Sequence, residues 1–192
     1  MALTDKLTAI ADAVRSKTGG TKPLTLDQMA VEIENISAGG GDMDALIDKS
    51  ITEITSNVTI IGDSAFRNCD ALTTVNFPNV TFLGDNAFFG CDALTTLAFP
   101  NVTTIRSSVF SSCIALKAVI FRNTENISTL NYTNAFNSTP IKNGNGYIYV
   151  PRALVEEYKS ATNWSTLASQ FRALEDYTVD GTITGALDET KI

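Results

Sequence analysis

Cys69, Cys91 and Cys113 stand 22 residues apart, and the residues around them repeat with the same spacing. Ala65-Phe66-x-x-Cys69-x-x-Leu72-x-x-Val75-x-Phe77-Pro78-Asn79-Val80 is followed by Ala87-Phe88-x-x-Cys91-x-x-Leu94-x-x-Leu97-x-Phe99-Pro100-Asn101-Val102. A third unit carries Val109-Phe110, Cys113, Leu116, Val119 and Phe121 in the same columns. A degenerate fourth unit places Ala135-Phe136 and Tyr147-Ile148-Tyr149-Val150-Pro151 in register after several inserted residues. A partial unit from Ile51 to Val58 precedes the first. Self-similarity at this period means stacked supersecondary units, each too small to bury its apolar face alone.

The second half of each unit alternates at period two, so Val75 and Phe77 point inward while Thr74 and Asn76 point outward. Strands are expected over 72–77, 94–99, 116–121 and 146–150, parallel and adjacent in chain order. Phe66, Phe88 and Phe110 should stack in the core, with the cysteines buried beside them. The Ala-Phe columns fit a short helical turn on the opposite side. Pro78 and Pro100 end their strands, since proline cannot donate to a ladder. The expected class is α+β: a short parallel β-solenoid of roughly 22-residue coils, with a helical C-terminal cap and an N-terminal helical hairpin.

The run Ile61-Gly62-Asp63-x-Ala65-Phe66-x-x-Cys69-x-x-Leu72-x-x-Val75-x-Phe77-Pro78 closely resembles the BspA-like leucine-rich repeat of bacterial surface proteins and phage structural proteins. Ile10-Ala11-Asp12-Ala13-Val14-Arg15-x-Lys17-Thr18-Gly19, followed by Leu24-Thr25-x-x-Gln28-Met29-Ala30-x-x-Ile33, looks like a helical module of tail proteins from phages of Gram-positive hosts. Val150-Pro151 through Asn163-Trp164 looks like the cap that accompanies such repeats. The resemblance implies a virion or cell-surface interaction protein without enzymatic activity, cofactor or metal. The implied location is a phage tail or tail tip, with the bacterial cell surface as the alternative.

Residues 1–36 read as an assembly module. Leu3, Leu7, Ile10 and Val14 form a 4-3-4 apolar seam, and Gly19-Gly20 stops that helix. Thr25-Leu26-Asp27-Gln28 is a capping box opening a second helix, with Leu26, Met29, Ile33 and Ile36 on one face. Thirty-six residues cannot bury both stripes alone. The glycine-rich linker at 37–43 uncouples them from the solenoid at 44–151, so another chain is the favoured partner: further copies, a trimer above all, or other virion proteins. Residues 152–176 should cap the last coil, with Pro151 as first helical residue and Leu154, Tyr158, Ala161, Trp164, Leu167, Phe171 and Leu174 at helical spacing, broken near Asn163. The tail, 177–192, holds an Asp180-Gly181 turn signal.

The chain has no histidine, which removes Ser-His-Asp and Cys-His catalysis. Its net charge of −7 argues against nucleic acid as a partner, and no apolar run is long enough for membrane insertion. The N-terminus lacks the apolar stretch of a signal peptide, which favours assembly in a virion over export. An odd number of cysteines suggests reduced packing thiols. Asp63, Asp85, Asp70 and Asp92 read as turn residues making local bonds, and the Asn57, Asn79 and Asn101 sequons as a turn column. Glu156-Glu157 reads as a solvated helix face. The outward strand columns remain: Thr74 and Asn76, Thr96 and Ala98, Ala118 and Ile120, Tyr147 and Tyr149. Their aromatic content rises toward the C-terminus, as at recognition surfaces. They are the candidate contacts for a host surface protein or glycan, unless the C-terminal tail covers them.

Overall fold

The computed structural model describes residues 51–177. The assembly stripes Leu3/Leu7/Ile10/Val14 and Leu26/Met29/Ile33/Ile36, the linker and residues 178–192 lie outside the described residues.

Each coil contributes two short parallel strands and a turn segment. One wall holds β1 (Glu53–Thr55), β3 (Thr74–Asn76), β5 (Thr96–Phe99), β7 (Ala118–Phe121) and β9 (Tyr147–Val150). The strands run parallel in chain order, with Leu97 opposite Val119 and Val119 opposite Ile148. The ladder lapses between β3 and β5, so this wall is one sheet of β1 and β3 followed by another that contains β5, β7 and β9. A second wall, not anticipated from the sequence, holds β2 (Ile60–Ile61), β4 (Phe82–Leu83), β6 (Thr104–Ile105) and β8 (Thr129–Leu130), also parallel. Two residues per strand are too few for an alternation to show. The signal that was available is the column of β-branched residues, Val58-Thr59, Val80-Thr81 and Val102-Thr103.

The third side corrects the expected helical turn. Ser64, Asn68, Asn86, Gly90, Ser108 and Ser112 all have left-handed backbones, with φ between 54° and 70°. Each such residue costs roughly 1–2 kcal/mol unless glycine, and a regular helix cannot contain them. The conformation turns alternate N–H groups outward to the next coil. Ser64, Phe66 and Asn68 donate to the carbonyls of Asp85, Ala87 and Phe89 at 2.7–2.8 Å. Asn86, Phe88 and Gly90 repeat the pattern onto Ser107, Val109 and Ser111 at 2.9 Å. Ala65, Arg67 and Cys69 meanwhile close turns onto Gly62, Ser64 and Phe66. This side is therefore a third ladder, and its bonds offset the backbone cost. Gly90 suits it twice: φ is +70°, and a Cβ would lie 2.5 Å from Asn68 Oδ1.

The interior matches the expected columns. Phe66, Phe88, Phe110 and Phe136 stack with centroid separations of 5.2, 6.1 and 5.1 Å. Cys69, Cys91 and Cys113 are buried and form no disulfide. The thiols of Cys91 and Cys113 donate to the carbonyls of Phe66 and Phe88, one coil back. The adjacent Cys113 thiol and burial together push the Cys91 thiol far above the ordinary range.

Beyond Pro151 the chain runs through a 3-10 turn (Arg152–Leu154), helix α1 (Val155–Ser160), a second 3-10 segment (Trp164–Gln170) kinked at Leu167, strand β10 (Phe171–Ala173) and a final 3-10 turn (Leu174–Asp176). Pro151 precedes the first turn instead of opening it, and Phe171 belongs to a strand where helical spacing was expected. β10 pairs parallel with β9, Phe171 opposite Ile148, so the wall gains a strand from outside the repeat. Tyr158, Trp164 and Phe171 pack around Phe121 and Phe136 and close the core. Among the described residues no helix is long and apolar enough to cross a membrane.

Candidate recognition surface

The outward columns of the first wall divide into two parts. Thr74, Asn76 and Thr96 are exposed, and Ala98 and Tyr147 are half-buried. Ala118, Ile120 and Tyr149 are buried, which corrects the expectation that they face a partner and fits the alternative that a C-terminal segment covers them. The strand added by β10 leads into a turn that crosses this face. Leu174 packs with Ala118, Ile120 and Tyr149 in a small second core that Tyr177 adjoins. The Tyr177 ring meets Tyr149 edge-on at 5.0 Å, and the Arg172 guanidinium lies 4.2 Å from the Tyr147 ring centroid. Ile120 and Tyr149 are too apolar to be left in water when a cover is within reach. The Tyr149 hydroxyl is buried without a hydrogen-bond partner. Burial, with the Tyr177 and Tyr147 hydroxyls nearby, pushes its pKa up to about 12.

Asp63 and Asp85 bond between coils, not locally as expected of turn residues. Asp63 Oδ1 accepts from the Asp85 N–H at 2.7 Å, and Asp85 Oδ1 accepts from the Ser107 N–H at 2.9 Å. At the last coil the direction reverses, and the Ser108 N–H donates forward to Asn134 Oδ1. Arg106 stands where Gly62 and Gly84 occupy the earlier coils, and its guanidinium pairs with both Asp85 oxygens at 3.2 Å. Burial opposes ionisation of Asp85, but the bonds from Arg106 and Ser107 outweigh it and hold the carboxyl below its ordinary range. Among the described residues no group of acidic or cysteine side chains is arranged to hold a metal ion. Asp70 and Asp92 are exposed, and Glu156 and Glu157 lie on a solvated helix face, as expected of that pair.

A groove that no sequence motif marks lies at the C-terminal end of the second wall. It occupies about 490 Å³ between residues 127–132 and residues 161–164. The floor is set by the way the end of β8 is satisfied. Trp164 Nε1 donates to the Ser128 carbonyl at 2.6 Å, and the Ser128 N–H donates to the Tyr158 hydroxyl at 2.8 Å. Asn163, with φ at 66°, donates from Nδ2 to the carbonyls of Leu130 and Asn131 at 2.7 and 3.0 Å. Tyr132, 51% exposed, stands on one rim. It entered with the inserted residues of the fourth coil, where the repeat columns no longer guide the eye.

Short parallel strands stacked on two sides of a phenylalanine core, with turns closing the third, define a leucine-rich-repeat solenoid. The BspA type leucine-rich repeat region matches residues 46–151 in six copies. That is more than half of the chain, and the chain belongs to this family. Among solved structures it is similar to a leucine-rich repeat protein from Bacteroides ovatus ATCC 8483, at 22% identity with a TM-score of 0.47. The similarity covers 64% of this chain and 30% of that one, so the chain spans less than a third of that protein's length. No curated protein matches it in sequence.

Proposed function

We propose that this chain is a non-enzymatic recognition protein whose repeat solenoid is the displayed part. The observation that carries the reading is the use made of its chemically capable groups. The thiols of Cys91 and Cys113, the carboxylates of Asp63 and Asp85 and the hydroxyls of Thr73, Thr81 and Thr103 all bond backbone of a neighbouring coil. Groups committed in this way stiffen the stack, and a preorganised surface loses less entropy when it binds. In its finer form the proposal is a phage tail or tail-tip protein. Residues 1–36 assemble it with further copies, a trimer favoured, and with other virion proteins. The solenoid then faces a host surface protein or glycan.

Membership of the repeat family supports a second reading, an adhesin on a bacterial cell surface. Quantitative mass spectrometry of purified phage particles and of host envelopes separates the two. Stoichiometric amounts in particles support the virion reading; presence in envelopes alone overturns it in favour of adhesion.

A further inference from the structure

We propose that the groove between the end of β8 and Asn163 binds a neutral saccharide, an inference that rests on the recognition reading and names the chemistry of its ligand. At about 490 Å³ the groove is within the usual range for small-molecule sites. None of its lining residues is charged, although the chain as a whole carries −7. The charge beside its rim, the Arg106 guanidinium near Tyr132, is already paired with Asp85, so the lining offers an ionic ligand little to offset its lost water.

The backbone of β8 narrows the ligand further. A peptide strand added to the edge of β8 would need its outward carbonyls as acceptors. Those of Ser128, Leu130 and Asn131 are already taken by Trp164 and Asn163, so β-augmentation is blocked. Alternation in a parallel ladder sends the N–H groups of Thr129 and Asn131 back to Thr103 and Ile105. Along the groove stand the hydroxyl-bearing Thr129, Tyr132 and Thr162 and the amide of Asn131, all exposed residues. A hydroxyl-rich ligand can both donate to and accept from such groups. The exposed Tyr132 ring offers the flat apolar face on which the C–H side of a pyranose rests.

Trp164 is the only tryptophan of the chain and lines the groove, so its emission reports occupancy. The test titrates the full-length chain with lactose, maltose and N,N′-diacetylchitobiose, with sialyllactose and an uncharged extended peptide as controls. Emission and calorimetric heat are followed together. At least one neutral disaccharide should give a saturable response, weakened about tenfold by Tyr132→Ala and largely retained in Tyr132→Phe, with unchanged melting temperatures. The proposal is overturned if no neutral disaccharide gives heat or an emission change at millimolar concentration, if only sialyllactose or the peptide does, or if Tyr132→Ala binds as the parent does. Binding of the labelled chain to intact host cells is measured alongside. Cell binding without a saccharide response rejects the glycan site and leaves the recognition reading standing, whereas loss of both rejects the two together.

Discussion

The regular coils and the C-terminal end meet the same requirement by opposite means. Between coils, like bonds like: Thr81 Oγ1 donates to the Thr59 carbonyl and Thr103 Oγ1 to the Thr81 carbonyl, both at 3.1 Å. Buried backbone groups must be paired, and a repeating sequence does this by offering each coil a copy of its neighbour. At the end no copy follows. The first wall is closed by backbone, through β10 on β9. The second is closed by three unlike side chains, from Tyr158, Asn163 and Trp164, set where a strand would have been. Repetition thus needs only one solution for many interfaces, while termination needs residues that no repeat column contains. The surfaces differ for the same reason, since the groove exists only where side chains replace a coil.

The sharpest way to break this contrast is to remove a ring from the middle of the stack. Phe88 touches Phe66 and Phe110 from the centre of its column, and Phe88→Ala should cost ~3–5 kcal/mol. Thiol labelling of Cys91 reads this well, because a buried thiol of suppressed acidity reacts only when its coil opens. Rapid native-state labelling of Cys91 in the parent chain would contradict a packed stack.

A smaller loss is expected at the end. Trp164→Phe keeps an aromatic ring but leaves the Ser128 carbonyl without its donor, which should cost ~1–3 kcal/mol. Hydrogen exchange should accelerate over residues 127–174 and leave the coils around Cys69 and Cys91 protected. Equal acceleration everywhere would show that the end is not a separable closure.

Tyr149→Phe should act in the other direction. The hydroxyl it removes is buried and unpartnered, so the change should be neutral or stabilise by about 1 kcal/mol in thermal unfolding. A marked loss would mean that the hydroxyl has a partner in solution.

The smallest effect concerns pH. The Asp85 carboxyl is held below 3.8 in the folded chain, so its contribution to stability is full above that unfolded-chain value and is lost as pH falls below it. Melting curves of Asp85→Asn should be less stable than the parent at neutral pH and should converge with it in acid. Parallel curves at all pH values would show that Arg106 and Ser107 do not bind the charged form.

The repeat was legible because its columns are side chains that pack on copies of themselves. Phe66, Phe88, Phe110 and the three cysteines could be placed inside from spacing alone. The left-handed turns were not legible, because serine at positions 64, 108 and 112 carries no sign of positive φ; only the pull of the next coil's carbonyls selects it. Tyr149 misled for a related reason. Period-two alternation says which wall a residue faces, and outward is exposed only if no later segment crosses. Leu174 and Tyr177 cross there, and nothing local to β9 announces it.

A stack of parallel coils with a phenylalanine and cysteine interior and a non-repeating closure follows from the residue pattern, since periodic apolar columns are buried by stacking on copies of themselves. Only the tertiary structure decided which outward face remains open, how the last carbonyls of β8 are satisfied, and where a groove is left. Those outcomes depend on residues more than 20 positions apart, brought together by the closing segment's path and not by any pattern within a coil.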